Sequence, residues 1–238
     1  MSLLDKEDLA ENNATRVPVV FCLDTSGSME GDPIKKLNQA VRDFYQALLD
    51  DRRAKYAADV CVVVFNSTAE VYRDFENVSH NNVPQVRSVN ATTELGAGVQ
   101  LSLDCLEQRV ATYKANGLQC QPPMLIVMTD GVPVETDKTA TPRAAARATT
   151  MEAAGDLTVI PFFVGDTRNE SAINTIGSFS RVNDALSIKP SELSGLFKWI
   201  SSKVIASSHA KAGSAPDIRI QDYVDQMIGQ SGIDGLFK

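Results

Sequence analysis

Two short apolar runs that each stop on an aspartate constrain this chain more than any other feature. Val17 to Leu23 is almost continuously apolar and ends at Asp24, and Met124 to Thr129 repeats the pattern and ends at Asp130-Gly131. Runs of this length without polar alternation suit strands buried on both faces, the condition of a parallel sheet covered by helices. Each aspartate then falls at the carboxyl end of its strand, where open α/β sheets place their sites.

The remaining pattern alternates in the same way. Asp32-Pro33 supplies an N-cap followed by a proline, and Ile34, Leu37, Val41, Phe44 and Leu48 recur at helical spacing, predicting a helix from Asp32 to Asp50. Val60 to Phe65 is a further apolar strand, followed across Asn66-Ser67-Thr68 by the more polar run Glu70 to Phe75, which reads as an antiparallel edge strand. Leu95, Val99, Leu103, Leu106 and Val110 mark a second amphipathic helix. Helices over Ala140 to Ala154, Ser171 to Ile176 and Ser191 to Ala206 alternate with strands over Leu157 to Val164 and Ala185 to Ile188. Pro161 sits awkwardly inside one of these strands, because proline donates no hydrogen bond to a ladder. The expected fold is α/β: a Rossmann-like, doubly wound, mostly parallel sheet with one antiparallel edge strand and helices on both faces. Residues 1–15 read as a polar leader, 16–208 as the domain and 209–216 as an Ala/Gly/Ser/Pro linker. Residues 217–238 read as a tail that either packs on the domain or is offered to a partner.

Composition removes several functional classes. A formal charge of -7 provides no basic surface for a phosphate backbone, so nucleic acid is not an expected partner. No segment reaches the roughly 18 apolar residues of a membrane span, and Met1 to Arg16 lacks a signal-peptide apolar stretch, so a cytoplasmic location is expected. Cys22, Cys61, Cys105 and Cys120 contain no C-x-x-C pair and read as small reduced hydrophobes. His80 and His209 read as solvated, Trp199 as core filling for the last helix, and Glu94, next to the site, either as a residue that shapes partner choice or as an exposed loop glutamate without a function.

The chemistry concentrates beyond the first strand. Asp24, Ser26 and Ser28 place oxygen side chains at alternate positions of a turn that Gly27 lets curl, and a hard divalent cation wants oxygen ligands. Neutral hydroxyls leave such an ion electrophilic, which favours an incoming carboxylate. Singly, a serine-rich turn is a common capping device; the case for a metal rests on the other motifs that accompany it.

Those motifs carry a family resemblance. Asp24-Thr25-Ser26-Gly27-Ser28 resembles the D-x-S-x-S motif of the metal-ion-dependent adhesion site in von Willebrand factor type A domains. Thr93-Glu94-Leu95-Gly96 is similar to that family's threonine loop, and Thr129-Asp130-Gly131 to its T-D-G motif. Asp24 to Pro33 and the run Leu196 to Ile200 resemble bacterial tellurite-resistance-associated, TerY-like members. The resemblance implies Ser26, Ser28 and Thr93 as direct ligands of one metal, with Asp24 and Asp130 acting mostly through water. Mg²⁺ is the expected ion, with Mn²⁺ or Ca²⁺ as alternatives. Asn90-Ala91-Thr92-Thr93 departs from the glycines that usually precede the threonine, which leaves Thr92 as the alternative to Thr93.

By resemblance, the expected function is a non-enzymatic protein–protein interaction module that grips a partner's Asp or Glu. Its setting would be a bacterial stress or tellurite-resistance system alongside phosphatase or kinase-like proteins. Two other readings compete. One is a subunit presenting substrate to an AAA-type ATPase or chelatase; the chain itself has no G-x-x-x-x-G-K-[ST]. The other is a Mg²⁺-dependent phosphohydrolase, which needs a second carboxylate where this chain has Ser26.

Overall fold

The computed structural model describes residues 14–165 and 169–234, with side-chain surroundings through residue 229. Six strands form one sheet in the order β3-β2-β1-β4-β5-β6. They are β1 (Val17–Asp24), β2 (Ala58–Phe65), β3 (Ala69–Asn77), β4 (Met124–Thr129), β5 (Thr158–Val164) and β6 (Leu186–Ile188). All pair in parallel except β3, which runs antiparallel along one edge. The helices are α1 (Asp32–Asp50), α2 (Ala54–Ala57), α3 (Leu95–Ala115), α4 (Ala140–Ala153), α5 (Glu170–Gly177), α6 (Leu193–His209) and α7 (Ile220–Asp234). This is the doubly wound, Rossmann-like architecture expected from the sequence.

Every residue of β1 is buried, and its side chains alternate between two cores. Val19, Phe21 and Leu23 join the layer built with α1 and α6, whereas Val20 and Cys22 join the layer built with α3, α4 and α5. Phe21 anchors the first layer by stacking on Phe197 at 5.2 Å and meeting the edge of Phe44 at 4.9 Å. A fully buried side chain of this kind contributes about 1.5–3 kcal/mol, so the strand's position is fixed from both sides. Its last residue, Asp24, is therefore held as rigidly as the core.

Three local departures from the sequence reading have physical causes. At the start of α1, the cap position belongs to Gly31, whose φ of 89° suits glycine, and Asp32 is already the first helical residue. Pro161 is accommodated because Val159, two residues before it on the same side, turns its N–H to Glu152 and its carbonyl to Asn183. The β6 ladder starts only at Phe162, so the missing proline donor faces an unpaired stretch of strand. Glu94 is buried rather than exposed.

The C-terminal segment is attached to the domain. Gln121 donates to the carbonyls of Ser207, Ala210 and Lys211 and accepts from the Gly213 N–H, which ties down the segment read as a linker. Beyond it, Asn183 brackets Ile218 and Ile220 by hydrogen bonds, and Ile218, Ile220 and Tyr223 are buried in the α1/α6 layer. Tyr223 lies against Trp199 with ring centroids 5.7 Å apart, consistent with the core role expected for that tryptophan. The described residues from 14 to 224 thus share one packed body.

Candidate metal centre

The sheet order reverses between β1 and β4: the chain leaves β1 for β2 on one side and later returns to β4 on the other. Loops diverging from such a point open a crevice at the strands' carboxyl ends. Asp24 closes β1 at this crevice, and Asp130 follows the last residue of β4.

The local hydrogen bonds explain how the loop after β1 is shaped. Thr25 bonds the Phe65 carbonyl with both its N–H (2.9 Å) and its hydroxyl (3.1 Å), carrying β1 one residue beyond the ladder. The Ser26 N–H donates to Asp24 Oδ1 at 2.8 Å, folding the chain back over the carboxylate. A 3₁₀ turn over Gly27–Met29 follows, and the fully buried Met29 side chain pins it to the core.

Four of the five expected residues are joined by hydrogen bonds. Ser26 Oγ and Ser28 Oγ lie 3.2 Å apart, and Ser28 donates to Asp130 Oδ1 at 2.6 Å. Asp24 Oδ2 accepts from the Thr129 hydroxyl at 2.5 Å, which gives the threonine of Thr129-Asp130-Gly131 a role that motif reading alone did not assign. Asp24 and Ser26 are buried at the floor, while Ser28 is exposed at the mouth. Thr93 lies on the adjoining loop, which is secured by bonds from Val89 N–H to the Thr25 carbonyl and from Val134 N–H to the Thr93 carbonyl. Thr93 is 6% exposed and Thr92 is exposed; among the described residues the Thr93 hydroxyl makes no hydrogen bond to the other four.

The loops that surround the crevice are pinned by two carboxylates that do not belong to it. Glu94 accepts from both the N–H and the hydroxyl of Thr136, at 2.8 and 2.6 Å. Glu135 accepts from the Gly96 N–H and the Thr141 hydroxyl. Gly96 is needed there, since a Cβ would lie 2.2 Å from the Thr141 nitrogen. Glu94 therefore stiffens the site's wall. Its partner, Thr136, lies 42 residues away, beyond the reach of any local sequence signal.

Electrostatically the centre is uncompensated. Burial pushes the Asp24 carboxyl up against the opposing pull of its bonds to Ser26 and Thr129. Burial also lifts Asp130 to about 6; the Ser28 bond pulls it down, and the neighbouring Asp24 charge pushes it further up. Among the described residues neither has a lysine, arginine or histidine partner. Two carboxylates and three hydroxyl side chains make an all-oxygen donor set, and among the described residues no cluster of three His, Cys, Asp or Glu competes with it as a metal site. Such donors fit a hard divalent cation, which would also supply the missing positive charge.

Comparison with known proteins agrees with this architecture. The family model for the von Willebrand factor type A domain matches residues 19–194, and the chain belongs to that family. Among solved structures, it is similar to the vWF domain of the type V pili tip protein Mfa5 from Porphyromonas gingivalis. The TM-score is 0.64 at 11% identity, covering 84% of this chain and 98% of that one. It is also similar to a von Willebrand factor type A protein from Catenulispora acidiphila (TM-score 0.60, 17% identity, 81% and 43% covered). Proximal thread matrix protein 1 from the mussel byssus gives a TM-score of 0.57 at 19% identity, with 81% and 49% covered. The chain thus spans less than half of the last two. No curated protein matches the chain significantly. Type A domains commonly serve as interaction or adhesion modules, and among the described residues no helix is long and apolar enough to cross a membrane.

Proposed function

We propose that this domain is a metal-dependent protein–protein interaction module without catalytic activity of its own. Asp24, Ser26, Ser28, Thr93 and Asp130 would hold one divalent cation, with Mg²⁺ expected first and Mn²⁺ or Ca²⁺ as alternatives. Bound there, the ion supplies a Lewis-acidic position open to a carboxylate oxygen from a partner's Asp or Glu. The observation that carries this reading is the pair of desolvated carboxylates, Asp24 and Asp130, gathered with hydroxyls and lacking any cation from the described residues.

The chain's own residues divide the work. Thr129 and the Ser26 N–H orient the Asp24 carboxylate, Ser28 links the floor to Asp130 at the mouth, and Glu94 and Glu135 hold the flanking loops in place. Hydrolysis of phosphate esters is disfavoured by the neutral Ser26 hydroxyl, since that chemistry calls for a second carboxylate there. Resemblance to tellurite-resistance-associated proteins suits an adaptor role in a bacterial stress system, with phosphatase or kinase-like proteins as candidate partners. Affinity capture from a bacterial lysate with and without chelator tests the reading. Partners should elute with EDTA and be absent with Asp24→Ala; retention unaffected by both would overturn it.

A further inference from the structure

The surface around the crevice is unexpectedly apolar. Among the described residues nine large hydrophobic side chains are exposed, and three of them, Val89 (52%), Val132 (47%) and Val134 (58%), lie on the two loops that frame the site. Val89 is tied through its N–H to the Thr25 carbonyl, Val134 through its N–H to the Thr93 carbonyl, and Val132 is two residues from Asp130. Turn segments favour Gly, Pro, Asn, Asp and Ser, so exposed β-branched residues here gain nothing from local conformation. Nor do they contribute to either core.

Each flank also carries a cleft. On the β4 side, Val132, Pro133, Val134 and Pro142 line most of one of about 430 Å³, with Glu135 and Lys138 at its edge. On the β2 side, Tyr72 and Val89 border a mixed cleft of about 400 Å³ that Asn66, Glu70, Gln85 and Arg87 also line. Because β1 lies between β2 and β4, the motif that begins at Asp24 falls between the two clefts. The β4-side loop is fixed by the Glu94–Thr136 and Glu135–Gly96 bonds, and the β2-side loop by the Val89 N–H on the Thr25 carbonyl and by Asn38 on Val86, so filling the clefts costs little ordering entropy.

From this arrangement we infer that the module recognises an acidic residue flanked on both sides by aliphatic or aromatic side chains, presented by a partner protein in an extended segment. The inference rests on the metal-dependent reading above and adds to it the identity of the neighbours. The carboxylate supplies the metal-dependent contact; the apolar neighbours decide which carboxylates are taken. Exposed apolar patches beside a polar centre serve recognition of this kind.

Selection of a random peptide library with one fixed central Asp, on the immobilised full chain in Mg²⁺ with EDTA elution, tests the inference. Eluted peptides should be enriched in Leu, Ile, Val or Phe on both sides of the Asp. The Val132→Ser/Val134→Ser and Val89→Ser variants should each bind a selected peptide about tenfold more weakly, losing one apolar contact. Their thermal stabilisation by Mg²⁺ should match that of the parent chain, which reports the cation site directly. EDTA-eluted acidic peptides without apolar enrichment would overturn the inference while leaving the metal reading standing. Apolar peptides bound equally in EDTA would overturn both.

Discussion

Asp24 and Asp59 lie on adjacent parallel strands, at opposite ends of the sheet, and both are buried. At the amino end of β2, Asp59 receives the Arg109 guanidinium at 2.7 Å, the Tyr113 hydroxyl and the Asn77 amide. Arg109 in turn lies over the Phe75 and Tyr113 rings. At the carboxyl end of β1, Asp24 is held by neutral donors alone, the backbone N–H and side chain of Ser26, the Thr129 hydroxyl and the Asp130 backbone, and its charge raises the pKa of the neighbouring Asp130. The same side chain, equally desolvated, is supplied with a cation at one end and not at the other. A charge that the fold neutralises internally is structural; one left for an external ion is available for binding.

The comparison predicts its largest effect at the compensated end. Arg109→Met should cost about 3–5 kcal/mol in urea unfolding, because it leaves Asp59 buried without its counter-charge. Asp24→Asn, measured without metal, should cost about 1 kcal/mol or less, since the amide keeps the Ser26 bond and sheds an uncompensated charge. Equal costs at the two ends would break the contrast.

A smaller effect is expected from the ion. With Mg²⁺ at a hundredfold excess over its dissociation constant, the unfolding free energy should rise by about 2.7 kcal/mol. Asp24→Ala and Asp130→Ala should abolish that increment while leaving Asp59 and its partners undisturbed. An increment that survives Asp24→Ala would place the ion elsewhere.

Much of this contrast was legible in the sequence, though unevenly. The strands ending in Asp24 and Asp130 were readable because burial on both faces leaves an unbroken apolar run, and β4 spans the predicted Met124–Thr129. Helix α1 was readable because its apolar spacing is strongly one-sided. The Asp59–Arg109 pair was not, since its partners are 50 residues apart and each alone resembles ordinary surface charge. Glu94 was misread for the same reason: its hydrogen-bond partner, Thr136, comes from a distant loop. Helix α7 carries only scattered apolar residues, and Ile218, Ile220 and Tyr223 acquire meaning only against the layer they complete. Local pattern reveals strands and helices; charge pairing across the fold leaves no such trace.

The choice between adjacent threonines gives a finer test. Thr93 is buried on the adjoining loop and Thr92 is exposed, so Thr93→Ala should weaken Mg²⁺ binding about tenfold, roughly 1.4 kcal/mol. Thr92→Ala should change it by less than about 0.5 kcal/mol, as surface substitutions generally do. Calorimetric titration of both variants decides the matter, and the reverse ranking would move the ligand to Thr92.

The smallest expected effect tests the comparison most directly, by supplying the carboxyl end with a cation of its own. A side chain at Gly131 has room: a Cβ there would meet only the Ser28 hydroxyl, at 3.8 Å, and the backbone does not adopt a positive φ. Gly131→Lys would therefore set an ammonium beside Asp130 and Ser28 without disturbing the backbone bonds to Thr129. A tethered, partly exposed ion pair is worth about 0.2–1 kcal/mol, so metal-free stability should rise by that amount. Stabilisation by Mg²⁺ should shrink in the same variant, because the two cations compete for the same carboxylates. A variant that loses stability yet keeps the full Mg²⁺ increment would show that the deficit at Asp24 and Asp130 is not one of charge, and the parallel with Arg109 would fail.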